Sequence, residues 1–264
     1  MRKIFSFCVL VVLVSSFYCF GQFTNKTAEA NLTKGDKAYE NKDFNSSIIY
    51  YTKAIELDSK YVFAYINRGN AFRNLKKFPE AIADYTKAIE LDPKHAVTYF
   101  NRATATRNLK KYSEAIADYT KAIELDPNYA FAYNNRGLTY NNYFKKFPEA
   151  IADYTKAIEL NPKDASTYNN RGLAYNNLKK YPEAMVDCNK DVELDPKYMF
   201  AYNNRGFAYY GLKKYSEAIA DYTKTIELDP KYAKAYNNRG NAYKAIGKIK
   251  DAEADFAKAK SLEN

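Results

Sequence analysis

The sequence predicts an all-α protein, specifically a right-handed α–α superhelix (solenoid) of tandem helix hairpins, and three observations support this prediction. The pentapeptide YNNRG occurs at Tyr133, Tyr168, Tyr202 and Tyr236, with looser copies earlier in the chain. The arginines of successive copies lie 34 or 35 residues apart, and a fixed period in this range indicates stacked repeats. A second segment, AIADYTKAIELDP or a close variant, recurs with the same period, so each repeat has two halves.

Both halves of the repeat have the residue spacing of an amphipathic helix. With Val62 as repeat position 1, apolar and small residues fall at positions 4, 8 and 11, and again at 17, 20, 24, 27 and 28. Pro79 stands where a second helix would begin, and Asp92-Pro93 would end that helix. Each repeat is therefore predicted to be a helix hairpin.

The first 21 residues differ in character from the repeats. Arg2 and Lys3 precede an apolar run of about 17 residues, and small Gly21 follows it. This run is marginal for crossing a bilayer, which takes about 20 residues. We therefore expect residues 1–21 to be a cleaved signal peptide and the protein to be exported, to a secreted, periplasmic or cell-envelope location. A membrane association is expected only if this segment is retained.

The remaining sequence divides into a short linker, residues 22–27, and a seven-repeat domain, residues 28–264. The fourth repeat has one extra residue at Tyr143-Phe144, which we expect to bulge at the turn and leave the stacking intact. The third repeat has Ala103 instead of Gly and Thr106 instead of an aromatic residue, so its packing is expected to be weaker. The predicted repeats span 28–61, 62–95, 96–129, 130–164, 165–198, 199–232 and 233–264.

The chain is basic, with a formal net charge of +10 that becomes 10 − 2 = +8 without Arg2 and Lys3. Five lysine pairs at the turns between the two helices predict a basic edge. We interpret this edge as a solvated surface that opposes aggregation, or alternatively as a weak binding surface for a polyanion such as nucleic acid, an anionic glycan or lipid headgroups. The pairs are Lys76-Lys77, Lys110-Lys111, Lys145-Lys146, Lys179-Lys180 and Lys213-Lys214.

Catalytic chemistry is not expected from this inventory of residues. The only histidine, His95, lies between two predicted helices. Cys188 replaces a Tyr or Phe found in the other repeats, so it is interpreted as a small buried substitute. Glycine-rich phosphate loops, serine elbows and metal-ligand spacings do not occur. The sequence therefore predicts a protein without catalytic residues, cofactor, metal site or small-molecule substrate.

The pattern Tyr-x2-Arg-Gly-x2-Phe, followed by Ala-x3-Tyr, Ala and Pro, resembles the tetratricopeptide repeat (TPR). The resemblance covers nearly the whole chain after the linker. It implies that the first helices line a concave groove and that the protein is a scaffold that binds a protein or peptide. The family's carboxylate clamp for acidic tails has Lys at position 5, but this chain has Leu, Ile, Phe or Asn there, so an acidic-tail partner is disfavoured.

One departure from the family pattern concerns repeat position 7, which is usually leucine but is Arg in six repeats. The same six repeats carry Asp at position 23. Because a half-buried guanidinium without a carboxylate would be strongly destabilising, we predict an ion pair between the two helices of each hairpin. The predicted pairs are Arg68 with Asp84, Arg102 with Asp118, Arg136 with Asp153, Arg171 with Asp187, Arg205 with Asp221, and Arg239 with Asp255.

Repeat position 6 is asparagine in every repeat after the first, and helical geometry places positions 5 and 6 on the face opposite Tyr, Arg and Gly. We interpret this column as a ladder that binds the backbone of an extended peptide, because each carboxamide can both donate and accept hydrogen bonds. The column is similar to the asparagine ladder in the superhelix of the O-linked N-acetylglucosamine transferase, which implies the same use. Alternatively, these amides bond to neighbouring repeats or simply accompanied the duplication of the repeat. The candidate peptide-binding residues are Asn67, Asn101, Asn135, Asn170, Asn204 and Asn238, with apolar neighbours Phe131, Leu138, Leu173 and Phe207.

Partner identity remains open at this point. The protein is expected to bind a protein or peptide, with nucleic acid disfavoured and self-association through the end repeats as a further alternative.

Overall fold

The computed structural model describes residues 26–263, which form two compact units, here called unit 1 (residues 26–127) and unit 2 (residues 128–263). The predicted signal peptide and most of the predicted linker lie outside the described residues. Every regular element within residues 26–263 is helical.

Unit 1 consists of three helix hairpins in succession. Each first helix packs against the second helix of its own hairpin, and each second helix packs against the first helix of the next hairpin. The helices are α1 (residues 26–40), α2 (Phe44–Leu57), α3 (Val62–Asn74), α4 (Phe78–Leu91), α5 (Ala96–Asn108) and α6 (Tyr112–Leu125).

Unit 2 repeats this arrangement with four hairpins. Its helices are α7 (Ala130–Thr139), α8 (Phe147–Leu160), α9 (Ala165–Asn177), α10 (Tyr181–Leu194), α11 (Met199–Gly211), α12 (Tyr215–Leu228), α13 (Ala233–Ala245) and α14 (Ile249–Glu263).

The extra residue of the fourth repeat is absorbed within the first helix. Helix α7 continues into a π-helical turn, Tyr140–Phe144, and the N–H of Lys146 donates to the carbonyl of Tyr140 at 3.1 Å. A π-helical turn accommodates one additional residue without ending the helix. The insertion therefore widens the last turn of the helix, and the contacts of α7 with its own hairpin partner are kept.

Local sequence signals explain where the second helices begin and end. Pro79, Pro148 and Pro182 lie in first turns, where a missing N–H costs nothing. At the other end, Asp92 is extended, as a residue before proline should be, and its side chain accepts a hydrogen bond from the N–H of Lys94. These signals recur in most repeats and produce hairpins of nearly constant length.

The core of five hairpins consists of small residues packed against one tyrosine, and Cys188 and Phe256 take the place of that tyrosine in the fifth and seventh. A Cβ atom on Gly69 would come within 2.7 Å of the Tyr85 ring, so glycine at this position lets the two helices approach closely. In the third repeat, Ala103 and Tyr119 are both fully buried and pack together. Thr106, in contrast, lines an open cleft of about 390 Å³ at the position where five of the other repeats have an aromatic ring.

Candidate functional site

The arginine at repeat position 7 forms a bidentate salt bridge with the aspartate at position 23 in each of the repeats predicted to have this pair. In the second repeat, Arg68 Nε donates to Asp84 Oδ2 at 2.8 Å and Nη2 donates to Oδ1 at 2.7 Å. The fourth repeat keeps this geometry between Arg136 and Asp153 despite its extra residue. The shortest contacts are 2.7 to 2.8 Å for Arg68–Asp84, Arg102–Asp118, Arg136–Asp153, Arg171–Asp187, Arg205–Asp221 and Arg239–Asp255.

The same arginine also joins neighbouring hairpins. Arg68 Nη1 donates to the hydroxyl of Thr52 in the preceding repeat at 3.0 Å, and Arg171 does the same with Thr155. The guanidinium of Arg68 lies 5.7 Å from the centre of the Tyr65 ring. Hydrogen bonds to Asp84 raise the pKa of Arg68 above its ordinary value. A charge at this packing position is therefore tolerated, because the guanidinium forms hydrogen bonds both within its own hairpin and to the preceding hairpin.

The asparagines of unit 2 connect successive first helices. The amide at position 6 of one repeat donates to the amide oxygen at position 5 of the preceding repeat, and we call each such contact an amide rung. The N to O distances are 3.2 Å for Asn170 to Asn134, 2.8 Å for Asn204 to Asn169 and 3.1 Å for Asn238 to Asn203.

Unit 1 lacks these rungs because its position 5 is apolar. Asn67 donates instead to Asp36 Oδ1 at 2.9 Å, and Asn101 Oδ1 accepts a hydrogen bond from Arg73 Nη1 at 3.1 Å. Asn135, whose preceding repeat has an apolar residue at position 5, donates to the carbonyl of Phe131 on its own helix. The position-6 asparagines of the last three repeats therefore form rungs, and those of the second, third and fourth repeats have other partners.

The expectation that positions 5 and 6 both point outward is wrong for several residues. Asn101 and Asn204 are only 7% and 8% exposed, and Asn169 and Asn203 at position 5 are also buried. The physical reason is that successive first helices approach closely enough for their side chains to contact each other, Asn101 with Arg73 and Asn204 with Asn169. Partial exposure remains at Asn67, Asn135, Asn170 and Asn238.

Apolar side chains lie beside these amides on the first helices of unit 2. Phe131 is 59% exposed and Phe207 is 42% exposed, while Leu138 and Leu173 are half-buried. Repeat positions 2, 6 and 9 share one face of a helix because they are four and three residues apart. We call the following set the amide–apolar face: Phe131, Asn135, Leu138, Asn170, Leu173, Phe207 and Asn238.

In unit 1 the corresponding region contains a polar cleft of about 240 Å³ between the first two repeats. The Tyr51 hydroxyl donates to Asp36 Oδ1 at 2.8 Å, and burial together with this bond raises the pKa of Tyr51. The remaining lining residues are Tyr39, Glu40, Asn67 and Asn70.

The lysine pairs lie at the exposed turns between first and second helices. The first lysine of each pair has a positive φ, for example 58° at Lys76, and Gly247 occupies this position in the last repeat with φ 79°. Lysine at such a position is strained relative to glycine. Within the described residues this conformation occurs at Lys42, Lys76, Lys110, Lys145, Lys179 and Lys213.

Helix α10 contains two buried titratable side chains, Cys188 and Asp191. Cys188 is fully buried, and burial raises the pKa of its thiol, which is the environment expected for an inert packing residue. Asp191 is also fully buried, and sequence reasoning did not single it out. A signal was present, because the variant segment AMVDCNKDVELDP has Asp where the other repeats have Ala or Thr.

Among residues 26–263, no group of three or more His, Cys, Asp or Glu side chains is arranged to hold a metal ion. The helices in this part of the chain are also too short or too polar to cross a bilayer.

Comparison with known families gives matches along the repeats. Models described as tetratricopeptide repeat match residues 62–95, 165–198 and 200–232, residues 84–117 and 221–254, and residues 28–61. A model described as TPR repeat matches residues 104–142 and 145–179. No curated protein sequence matches significantly.

Several solved structures are similar to the chain. A tetratricopeptide repeat protein from Parabacteroides merdae is 24% identical with a TM-score of 0.68, covering 90% of this chain and 94% of its own. YrrB, described as a TPR protein with an unusual peptide-binding site, is 25% identical with a TM-score of 0.62, covering 70% and 95%. MamA is 27% identical with a TM-score of 0.57, covering 61% and 94%. The all-α tandem-hairpin class predicted from the sequence is confirmed.

Proposed function

Because this chain belongs to the tetratricopeptide repeat family, whose members generally act as noncatalytic protein-interaction scaffolds, we propose that it binds an extended peptide segment of a partner protein on the amide–apolar face of unit 2. The observation that carries this proposal is the exposure of Phe131 and Phe207 beside partly exposed amides on parallel first helices. Large apolar side chains rimmed by polar groups are typical of protein interaction sites.

The chemistry of this face matches the two components of an extended peptide. Its backbone offers N–H and C=O groups that need partners, and its side chains alternate in direction. The carboxamides of Asn170 and Asn238 can bond to the backbone, while Phe131, Leu138 and Leu173 can contact apolar side chains. The proposed specificity is therefore for apolar residues in an extended segment.

The amide rungs support this role because they orient the carboxamides in advance. Asn170 uses one of its two amide hydrogens in the contact with Asn134, and its Oδ1 accepts no hydrogen bond from any residue in the 26–263 segment. Asn238 likewise uses one amide hydrogen in the contact with Asn203, and its Oδ1 accepts no hydrogen bond from residues 26–263. Each retains one donor and one acceptor for a ligand. A side chain that is already ordered loses less entropy on binding. The buried Asn204 is assigned a supporting role in the rung and no direct contact.

A similar protein supports peptide binding as the function. YrrB, 25% identical to this chain, is described as having a peptide-binding site.

The proposal can be tested by selecting peptide ligands from a random display library with residues 22–264 and measuring their affinity by calorimetry. We expect Phe131→Ala with Phe207→Ala to weaken selected peptides at least tenfold, since exposed aromatic anchors dominate such interfaces. Val186→Ala is the matched control, because Val186 is 69% exposed on a second helix. Equal binding by both variants, or selection of no peptide, would contradict the proposal.

The amides are tested separately from the apolar anchors. Asn170→Ala with Asn238→Ala is expected to weaken the selected peptides while the protein stays folded. Because Asn238→Ala also leaves the buried Asn203 Oδ1 without its donor, a loss of about 1 to 3 kcal/mol of unfolding free energy is expected as well. Asn45→Ala, which changes an exposed amide on the second helix α2, is the control. Unchanged affinity in the double variant would remove the amides from the proposed site and leave only the apolar contacts.

The alternative function is polyanion binding by the lysine edge. The observation that favours it is the retention of strained lysine at six turns where glycine would be relaxed. Binding of heparin or a single-stranded oligonucleotide through this edge should fall steeply between about 50 and 200 mM salt. Peptide binding on the amide–apolar face should change little over that range, because its contacts are uncharged. Changing Lys179 and Lys180 to Gln should affect only the polyanion.

Export of the protein is part of the same proposal and depends on the pattern of residues 1–21. Mass determination of the protein recovered from its native source should give a chain beginning near Gln22. A chain that still begins at Met1 would contradict cleavage.

A further inference from the structure

Helix α10 contains a carboxyl group at a position that is otherwise occupied by small residues. Asp191 stands at repeat position 27 and is 0% exposed. Helix α10 packs against helix α9 of the same repeat and helix α11 of the next repeat. The other repeats have Ala54, Ala88, Ala122, Ala157, Thr225 and Ala259 at this position.

Neither oxygen of the Asp191 carboxyl group has a hydrogen-bond partner within residues 26–263. No salt bridge in this part of the chain includes it either. This distinguishes Asp191 from Asp187, one turn earlier, which is buried but held by Arg171. A buried carboxylate without a partner is strongly destabilising, whereas the neutral acid is tolerated at much lower cost.

The charged and titratable groups around Asp191 oppose its ionisation. Asp164, the N-cap residue of α9, and Asp195, the C-cap residue of α10, are both acidic. Tyr198, the N-cap residue of α11, and the buried thiol of Cys188 add no positive charge. Burial, followed by the charges of Asp195 and Asp164, raises the pKa of Asp191 to about 7.

The equivalent position in the sixth repeat shows which hydrogen bonds are available there. The Thr225 hydroxyl donates to the carbonyl of Asp221 at 3.0 Å and to the carbonyl of Met199 at 3.4 Å. Two backbone carbonyls thus lie within reach of the side chain at position 27 of the sixth repeat. A protonated carboxyl group can donate to such acceptors, whereas a carboxylate can only accept and would face them with like charge.

We propose that Asp191 is a proton-dependent switch within unit 2: its neutral form holds α10 packed between α9 and α11, and its ionisation loosens this packing. The proposal goes beyond the proposed peptide binding and does not depend on it. Its location is relevant to that function all the same, because α9 and α11 carry Leu173, Phe207 and the rung between Asn169 and Asn204.

The direction of the pH dependence follows from the raised pKa. In the unfolded chain an aspartate ionises near its ordinary pKa of about 3.9. Between that value and the folded pKa of about 7, folding requires uptake of a proton, so stability falls as the pH rises. Above the folded pKa the loss is complete and stability becomes level. The only histidine, His95, lies in unit 1, so no imidazole in unit 2 obscures this range.

The test compares the wild-type protein with Asp191→Ala, which installs the residue found in most other repeats, and with the isosteric Asp191→Asn. Urea unfolding of residues 22–264 is followed by circular dichroism from about pH 5 to 8.5. Relative to Asp191→Ala, the wild-type folding equilibrium constant is expected to fall by up to about tenfold per pH unit below pH 7 and then to level. Asp191→Asn should share the flatter profile of Asp191→Ala.

The control variant is Glu183→Gln, which removes an exposed negative charge from the same helix. Its profile should run parallel to that of the wild type. A second readout is the carboxyl carbon resonance of Asp191, which should titrate near pH 7. A wild-type profile parallel to that of Asp191→Ala, or titration of this carboxyl near pH 4, would overturn the proposal.

Discussion

The two units of this protein use one hairpin framework but connect their first helices in different ways. In unit 1, repeat position 5 is apolar and position 9 is polar; in the fourth, fifth and sixth repeats of unit 2 the two positions exchange character. Positions 5 and 9 are one helical turn apart on the same side of the helix. The residues at positions 5 and 9 are Leu32 and Asp36, Ile66 and Asn70, Phe100 and Thr104, Asn134 and Leu138, Asn169 and Leu173, and Asn203 and Phe207.

This exchange changes the hydrogen bonding within each unit. In unit 1 the buried tyrosine hydroxyls bond to position 9, as Tyr85 does with Asn70 at 2.8 Å. In unit 2 the amides of position 5 accept the rungs from the following repeat, as Asn169 does from Asn204. The stacking of hairpins therefore does not depend on which turn of the first helix is polar. Position 9 therefore presents different chemistry in the two units: polar side chains in unit 1, and Leu138, Leu173 and the exposed Phe207 in the fourth, fifth and sixth repeats of unit 2.

The largest effect on stability is expected from breaking the Arg–Asp ion pairs that both units contain. Asp84→Ala in unit 1 and Asp153→Ala in unit 2 each leave an arginine without its carboxylate, at side-chain exposures of 7% for both aspartates. We expect each to lose about 3 to 5 kcal/mol of unfolding free energy, because an unpaired, largely buried charge remains. Urea denaturation measures the loss. Lys146→Ala, which alters an exposed charge, is the control, and an equally large loss there would contradict a structural role for the pairs.

A smaller effect is expected from the rungs that only unit 2 has. Asn169→Ala leaves the buried amide of Asn204 without its acceptor, so a loss of about 1 to 3 kcal/mol is expected. A double-mutant cycle with Asn204→Ala should give a coupling energy of about 1 kcal/mol. The same cycle for Asn134 and Asn170, which are more exposed and 3.2 Å apart, should give less. Equal coupling energies for the two rungs would show that burial does not determine how much a rung contributes to stability.

A stabilising change is expected in unit 1, where the third repeat lacks an aromatic residue. Thr106→Tyr should fill part of the cleft of about 390 Å³ and place a ring near Arg102. In the fifth repeat, Tyr175 has this arrangement, with its ring centre 6.0 Å from the Arg171 guanidinium. We expect a gain of about 1 kcal/mol from buried apolar area and the cation–π contact. Thr106→Val, which adds no ring, should not reproduce the gain in thermal denaturation.

The smallest effect concerns the strained turns that both units contain. Lys110→Gly and Lys145→Gly should each raise stability by at most about 1 kcal/mol, because glycine adopts the positive φ without steric cost. The adjacent Lys146 has a φ of −85°, so Lys146→Gly should lower stability through the unfolded-state entropy. Thermal denaturation of the three variants distinguishes these signs. A loss of stability at Lys145 would show that its side chain contributes more than the strain costs.

Some features of the fold and site could be predicted because they depend on local spacing. The hairpins follow from periodicity within about 14 residues, and the Arg and Asp pairing follows from their joint presence and absence across repeats. The π-helical turn at Tyr140–Phe144 was expected only as a bulge, since counting residues shows an insertion but not the hydrogen bonds that absorb it.

The position of the amides shows where sequence reasoning reached its limit. A helical projection of YNNRG gives the direction of Asn204 relative to its own helix axis, and on that basis it points outward. The projection contains no information about the neighbouring first helix, which brings Asn169 to 2.8 Å from it. Asp191 was missed for a related reason, because one Ala-to-Asp difference in a repeat is visible in the sequence but its complete burial is not.

The sequence by itself determined the repeat, the helical hairpins and the ion pairs that hold each hairpin together, because these depend on contacts between residues about 16 apart within a constant unit. Only the tertiary structure decided which polar side chains remain available to a partner and which are buried between repeats. That distinction depends on the distance between successive first helices, which arises from the packing of whole hairpins and is not encoded in the period of any single one.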